Sequence, residues 1–553
     1  MELSSTKKVF LFFALFSFLF ISFANADEKT DQVDKVFDKW DSTASPGVAL
    51  AVIKDGEIIY EQGYGMADLE HNIPINPKTV FRMGSTSKQF TAACIAILSL
   101  QGKISLDDNI RKYIPEMPQY ERTITVRNLV HHTSGLRDYC GLLSLAGYVS
   151  YLDHPTIEET NEIISKQKNL NFLPGEKYSY SNSNYFLMGI IVNRVTGQTL
   201  NEFAQENIFK PLGMKNTHFH GDLTVIVKNR ADGYSPEENG FRINMSTFDH
   251  VGDGGLYTTV EDMYLWDQSF YNHKLGKDFV ELVQTPGELN SGEKLDYAFG
   301  LRISEYKGLK TVGHGGSWVG YRTSYIRFPE QNFSVVCLAN LSHINPSSLC
   351  QKVADIYLSN QFTKKPVTKP EKKEIEPIEL PIEKLKNKVG NYYSQEERMW
   401  MSLTLEEGKL KAQTLWDTLY LVPVSETKFF AVDAPVDICV EFFDNKVELD
   451  IWGREKITFE KGKEIPKLTE TKLKNYVGDY YSEELMTTYK ALIKENKLAV
   501  KHRYDPITLK AVDTDRFTTG GMNIDFIRKK DEITGFYLGT SGIRKIKFVK
   551  KKD

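Results

Sequence analysis

Apolar and polar positions change period several times along this 553-residue chain, and each change marks a predicted element. From Pro46 to Gly65, PGVALAVIKDGEIIYEQGYG alternates on either side of Lys54-Asp55-Gly56, which predicts two strands joined by a tight hairpin at a sheet edge. The run TAACIAILSLQGK after Phe90 is apolar on every side and predicts a buried helix packed on that sheet, with FRMGSTSKQF (Phe81–Phe90) leading into it. A Pro174-Gly175 turn precedes a helix over Asn182–Arg194, and Thr258 and Thr259 sit where they can cap a helix starting near Val260. Two more strands, YRTSYIRF and FSVVCLAN, come after the small-residue stretch TVGHGGSWVG. Glycines at 313, 315, 316 and 320 suit a strand edge that a ligand approaches closely.

The pattern then breaks. Residues 363–383 carry four prolines in a charged, aromatic-free run, which predicts a semi-rigid linker. Beyond it the chain repeats itself: LKNKVGNYYS at 385–394 recurs as LKNYVGDYYS at 473–482, an offset of 88. The same offset pairs Leu410 with Leu498, Asp417 with Asp505, Leu421 with Leu509 and Phe429 with Phe517. Each copy alternates apolar and polar residues over about eight short strands, the pattern of a small closed antiparallel barrel. The predicted organisation is a mixed helix-and-sheet domain over 27–362, the linker, and two all-β repeats over 384–463 and 464–553.

Composition narrows the function classes. With 69 basic and 73 acidic residues intermixed, the formal charge is −4, and no basic stripe predicts a nucleic-acid partner. Residues 1–26 combine Lys7-Lys8, an apolar run from Val9 to Phe23 and Ala24-Asn25-Ala26, the layout of a cleaved secretory signal. A periplasmic or secreted protein without a stable membrane anchor is therefore expected. The cysteines 94, 140, 337, 350 and 439 are odd in number and scattered, so no disulfide framework or metal site is predicted. Adjacent side chains diverge, so His131-His132 is read as a loop-positioning feature led by His132, and no cofactor is expected.

Candidate chemistry centres on Ser85 and Lys88. Three residues apart at the start of a helix, they point into the same space, a nucleophile beside a base. A lysine takes a serine proton only as the free amine, which requires burial or a neighbouring cation. Free N–H groups at the helix start can hold the oxyanion of an acyl transfer. The spacing alone decides nothing, because it recurs at Ser165/Lys168, Ser291/Lys294 and Ser425/Lys428. Company decides. Tyr180-Ser181-Asn182 supplies a phenol able to share a proton with a lysine and an amide able to hold a substrate carbonyl. His314-Gly315-Gly316 leads to Ser317, whose N–H is a candidate second oxyanion donor; His250-Val251-Gly252 fits the same spacing but lacks a strand after it.

Taken in order, Ser85-x-x-Lys88, Tyr180-x-Asn182 and His314-x-Gly316 resemble the three motifs of the serine beta-lactamase and penicillin-binding protein superfamily. HHTSGLRD, PGEKYSYSN, PLGMKNT and GGLYTTVEDM resemble its class C branch, over roughly residues 33–360. The resemblance implies an α/β (α+β) catalytic domain in which Ser85 is acylated, Lys88 and Tyr180 handle the proton, Asn182 positions substrate, and Ser85 and Ser317 N–H groups form the oxyanion hole. His314 stands where class C beta-lactamases carry lysine, which argues against strong beta-lactamase activity. Histidine there with two C-terminal barrels is similar to the D-aminopeptidase arrangement, with lipocalin-like barrels. The expected function is a metal-independent serine hydrolase acting on peptides or amides, D-amino-acid ones and cell-wall fragments included. An esterase or weak beta-lactamase is the close alternative, and an inactive wall-binding receptor the distant one.

Overall fold

The computed structural model describes residues 28–149, 152–363, 377–394, 399–413, 418–432, 438–451, 455–462, 468–519, 522–540 and 542–552. The predicted signal (1–26), most of the linker and Asp417 lie outside them. Among the described residues no helix is long and apolar enough to cross a membrane.

Strand β1 (Val48–Lys54) pairs with β2 (Glu57–Tyr64) across Asp55 and Gly56, both at positive φ (51° and 87°), the backbone twist that tight hairpins require. Four strands from much later in the chain complete an antiparallel sheet: β3 (Arg302–Tyr306), β4 (Leu309–Trp318), β5 (Tyr321–Phe328) and β6 (Phe333–Ala339). Their order is β3-β4-β5-β6-β1-β2, so the first hairpin does lie at an edge. Alternate residues of β1 serve two cores. Ala49, Ala51 and Ile53 join one that includes Phe90 and Cys94, whereas Val48, Leu50 and Val52 join another with Leu349 and Val353. A strand covered on both faces reads as a continuous apolar run, which is what VALAVI is.

Five helices frame the sheet and the site: α1 (Lys88–Leu100), α2 (Tyr139–Ala146), α3 (Asn182–Thr196), α4 (Val260–Asn272) and α5 (Pro346–Leu358). Helix α1 is buried from Lys88 to Leu98, which explains its lack of a polar face. It packs on α3, while α4 crosses β1 and β6 on one face of the sheet and α5 crosses β5 and β6 on the other. Thr259 caps α4 by accepting from Asp262 N at 3.1 Å.

The two repeats fold as β-barrels. In the first, eight antiparallel strands between Gly390 and Lys461 close when the strand Gly390–Ser394 meets the strand Glu455–Lys461. The second is a nine-stranded antiparallel sheet between Gly478 and Lys550 that nearly closes, its edge strands Ile507–Thr508 and Lys510–Asp513 being separated in sequence by Leu509 alone. The apolar pairs matched by the 88-residue offset are core positions in both copies: Leu410 and Leu498, Leu421 and Leu509, Phe429 and Phe517 are all buried, whereas Asp505 is exposed. Tyr392 donates to Lys388 O at 2.8 Å and its counterpart Tyr480 to Tyr476 O at 2.6 Å. The repeat thus preserves a polar clamp as well as packing.

The second barrel docks directly on the first domain, and one hydrophobic core runs through both. Ile543 sits over Gly141 of α2, where a Cβ would meet its Cδ1 at 2.7 Å, and Tyr489 donates to Leu145 O at 2.8 Å. Arg137, fully buried, donates from Nη1 to Glu484 Oε2 at 2.6 Å. Arg137 lies two residues before α2.

Candidate active site

Ser85 lies in a 3₁₀ turn, Gly84–Ser87, and Lys88 begins the α-helix, so the pair spans the junction between the two helical forms. Three residues per turn places them on one face as expected. Lys88 Nζ is 3.1 Å from Ser85 Oγ, 2.8 Å from Asn182 Oδ1 and 2.7 Å from the backbone oxygen of Asp253. Lys88 is completely buried and Ser85 is half-buried. The Asp253-Gly254-Gly255 turn therefore delivers a carbonyl to the lysine.

Asn182 is brought in at the start of α3. Its N–H donates to Asp138 Oδ2 at 2.6 Å, while Asp138 Oδ1 accepts from Cys140 N at 2.9 Å and so caps α2. Ser183 Oγ donates to Arg137 O at 2.6 Å. Arg137, Asp138, Asn182 and Ser183 are thus tied together, and the second barrel grips the same segment through Glu484.

Tyr180 is placed beside this pair, with 37% of its surface exposed and its ring centroid 4.9 Å from Lys88 Nζ. His132 packs against it at 4.3 Å between centroids and also against Tyr185 and Tyr297. His132 Nδ1 accepts from Ser181 N at 3.2 Å and stands 3.0 Å from Asn184 Nδ2. Burial, reinforced by the Lys88 charge, holds its pKa well below the ordinary value, so it is a neutral prop for the tyrosine loop. His131 points elsewhere, its Nδ1 3.3 Å from Tyr297 O. Among the described residues no group of three or more His, Cys, Asp or Glu side chains is placed to hold a metal ion.

Strand β4 forms the opposite wall. It pairs with β3 only from Leu309 to Gly313, so His314–Trp318 has no β3 partner on that side. The Gly84–Ser87 turn presses on this stretch: a Cβ on Gly84 would meet Ser317 N at 2.8 Å, and one on Gly316 would meet Met83 O at 2.0 Å. Gly316 thus admits the 81–87 segment itself, where the sequence suggested a ligand, while Gly313 faces Tyr325 O and Gly320 faces Tyr234 N. The turn's contact sets Ser317 N against Gly84, the residue before Ser85, and Ser85 and Ser317 line one cavity. His314 Nδ1 is 2.6 Å from Gly315 O, and its Nε2 is 3.1 Å from Tyr297 Oη. Burial and the Lys88 charge lower its pKa to about 4. His314 is therefore neutral near pH 7 with both nitrogens engaged.

The other Ser-x-x-Lys pairs are used differently. Lys168 pairs with Glu483, Lys294 with Glu288, and Ser425 Oγ accepts from Lys428 N. Three residues of the cleft, Tyr139, Asp253 and Tyr297, carry no motif that marks them in the sequence, and His250 is marked only by the second His-x-Gly match. Only the Gly-rich surroundings of Asp253 hint at a tight approach.

The family model for beta-lactamases matches residues 33–352, more than half of the chain. The chain belongs to the beta-lactamase family. Within it, the protein is 31% identical over 299 residues to a D-aminopeptidase of Gluconobacter oxydans, a match covering 53% of this chain and 56% of that one. It is 28% identical over 416 residues to penicillin-binding protein 4* of Bacillus subtilis, covering 71% and 89%. The match thus spans little more than half the length of the D-aminopeptidase. Among solved structures, the octameric penicillin-binding protein homologue from Pyrococcus abyssi superposes with a TM-score of 0.54 at 26% identity, covering 75% of this chain and 96% of that one. The beta-lactamase-like α/β domain is the fold expected from the motifs, and the repeat forms the two expected all-β barrels, the first closed and the second nearly so.

Proposed function

We propose that this beta-lactamase-family protein is a serine hydrolase that cleaves amide bonds through an acyl-enzyme on Ser85. The observation that carries this reading is the environment of Lys88 Nζ. The charged form that depresses His132 and His314 donates to all three partners, whereas the free-amine form that proton transfer requires has two N–H donors and one lone pair. Asn182 Oδ1 and the Asp253 carbonyl can only accept, so they take the two N–H groups, and the lone pair is left for the Ser85 hydroxyl at 3.1 Å. The lysine is thereby oriented as a general base.

In the acylation step Ser85 Oγ attacks the substrate carbonyl carbon while its proton passes to Lys88 Nζ. The resulting oxyanion is received by the N–H groups of Ser85 and Ser317, each such donor being worth about 3–4 kcal/mol in the transition state. Collapse breaks the C–N bond, and the leaving amine takes a proton returned from Lys88 by way of Tyr180. Water then adds to the ester and the same proton path runs in reverse, releasing the acid and free Ser85.

Neutral His314 offers no cation for a substrate carboxylate, which favours amides over beta-lactams. The D-aminopeptidase relatives support a D-amino-acid substrate, and the 1–26 segment supports action in the periplasm or outside the cell, with wall-derived peptides among the substrates. The test is mass-spectrometric detection of products from a pool of D-amino-acid amides, D-Ala-D-Ala peptides and short acyl esters, with Ser85→Ala as blank. Amide or peptide cleavage absent in the blank is expected. Ester cleavage alone would make the protein an esterase, and no turnover with no fluorophosphonate labelling would make it a binder.

A further inference from the structure

A narrow cavity opens beside Ser85, lined by Asn182, Tyr139, Phe248, His250, Asp253 and Trp318 among others. Two of its side chains are more than nine-tenths buried yet keep an unpartnered polar atom among the described residues: Asp253 Oδ1 and His250 Nδ1. Asp253 Oδ2 accepts from Tyr139 Oη at 3.0 Å. His250 Nε2 stands 3.1 Å from Thr160 Oγ1 and 3.4 Å from the Thr156 carbonyl, so Nε2 carries the proton and Nδ1 is an acceptor. Leaving buried polar atoms unmatched is costly, and here both spare atoms are acceptors, one of them on a carboxyl group. A third lining residue, Arg82, also has spare nitrogens, but its guanidinium is turned to the Phe248 carbonyl at 3.3 Å and the Tyr257 ring at 5.8 Å.

We propose that this cavity is an acyl-side subsite for the free α-ammonium group of the substrate, received by Asp253 Oδ1 and His250 Nδ1. A primary ammonium has three donors and no acceptor, the complement of these two atoms. It also distinguishes an amino-terminal residue from an internal or acylated one, whose nitrogen is an uncharged amide. Phe248, Trp318 and Tyr139 give the same cavity apolar walls, and its free space of about 50 Å³ leaves room for an ammonium and a small side chain. The inference rests on the hydrolase reading and narrows its substrates to amides and peptides with an unblocked, small first residue. Burial raises the Asp253 pKa, with the nearby Lys88 charge opposing the rise, so an arriving cation is also what would hold this carboxyl ionised.

The test compares D-alanine p-nitroanilide with its N-acetyl derivative in the full-length protein and in Asp253→Asn. The wild type is expected to favour the free amine, and the substitution to reduce the ratio of the two kcat/KM values by about 10- to 100-fold, the scale of a charge-assisted hydrogen bond. A role confined to structure would lower both substrates alike and leave the ratio unmoved, which would overturn the proposal. A second measurement needs no variant: D-alaninamide should inhibit ester hydrolysis by the wild type more strongly than N-acetyl-D-alaninamide. Equal inhibition, or a wild type that accepts only blocked substrates, would refute the ammonium subsite while leaving the hydrolase standing. No hydrolysis of any amide or ester would remove both.

Discussion

Replacing Glu484 by alanine tests how firmly the second barrel is joined to the segment that carries Asn182. The Arg137–Glu484 pair is 2.6 Å long with side chains 0% and 3% exposed, so neither solvent nor salt screens it. Glu484 Oε2 also accepts from Lys168 N at 3.1 Å, and the Glu484 carbonyl accepts from Gln167 Nε2 at 2.9 Å. Alanine retains the backbone bond but strands the Arg137 guanidinium with only Gln167 and the Arg544 carbonyl as acceptors. Removing one partner of a buried pair costs about 3–5 kcal/mol, whereas an exposed pair such as Lys168–Glu483 is worth about 0–1 kcal/mol. The assay is urea unfolding followed by tryptophan fluorescence and far-ultraviolet circular dichroism, with Arg137→Met, Glu484→Met and the double variant completing a cycle. Expected are a loss of at least about 3 kcal/mol for Glu484→Ala and substantial recovery in the double variant, since two apolar replacements leave no uncompensated charge. A loss below about 1 kcal/mol, or a double variant equal to the sum of the two singles, would refute the claim that this pair fastens the barrel.

Lys88→Ala should lower kcat by at least about 100-fold, the usual scale for a general base, and retained turnover in steady-state assays would remove Lys88 from the mechanism. Gly316→Ala forces a methyl to within 2.0 Å of Met83 O and 2.3 Å of Thr323 Oγ1; it should destabilise by about 1–3 kcal/mol, and a thermal melt like that of the wild type would contradict the packing of the Gly84–Ser87 turn on β4. Burial holds the His131 pKa at about 4 against an ordinary 6.5, so the unfolded chain binds more protons between those values. Its stabilising contribution, on the order of 3 kcal/mol, is complete above about pH 6.5 and is lost as pH falls toward 4. The slope of stability against pH in that window should shrink in His131→Gln, and an unchanged slope in urea titrations would exclude this source.

Sequence spacing makes legible only what it creates by itself. Ser85 and Lys88 meet because a helical turn brings residues three apart together, and the hairpin at Asp55-Gly56 and the barrel repeat are equally local patterns. Contacts across the chain leave weaker marks. Glu484 reaches Arg137 from 347 residues away, and in the sequence it is one more acid in a solvated-looking turn, so the linker suggests independence where the structure shows a shared core. Asp253 is the sharper case. Its backbone oxygen accepts from Lys88 across 165 residues, and its neighbours Gly252, Gly254 and Gly255 read as an ordinary turn. His250 fits His-x-Gly, is followed by a Gly-rich turn where the His314 motif is followed by β5, and lines the cavity beside Ser85. Glu484 and the Asp253 backbone oxygen find their counterparts only through the tertiary fold, and Asp253 Oδ1 and His250 Nδ1 are buried without one among the described residues, properties with no sequence signature. In this chain the motifs therefore bring Ser85, Lys88 and Asn182 together, while residues between them, placed by the tertiary fold, form the cavity to which we assign the substrate's amino end.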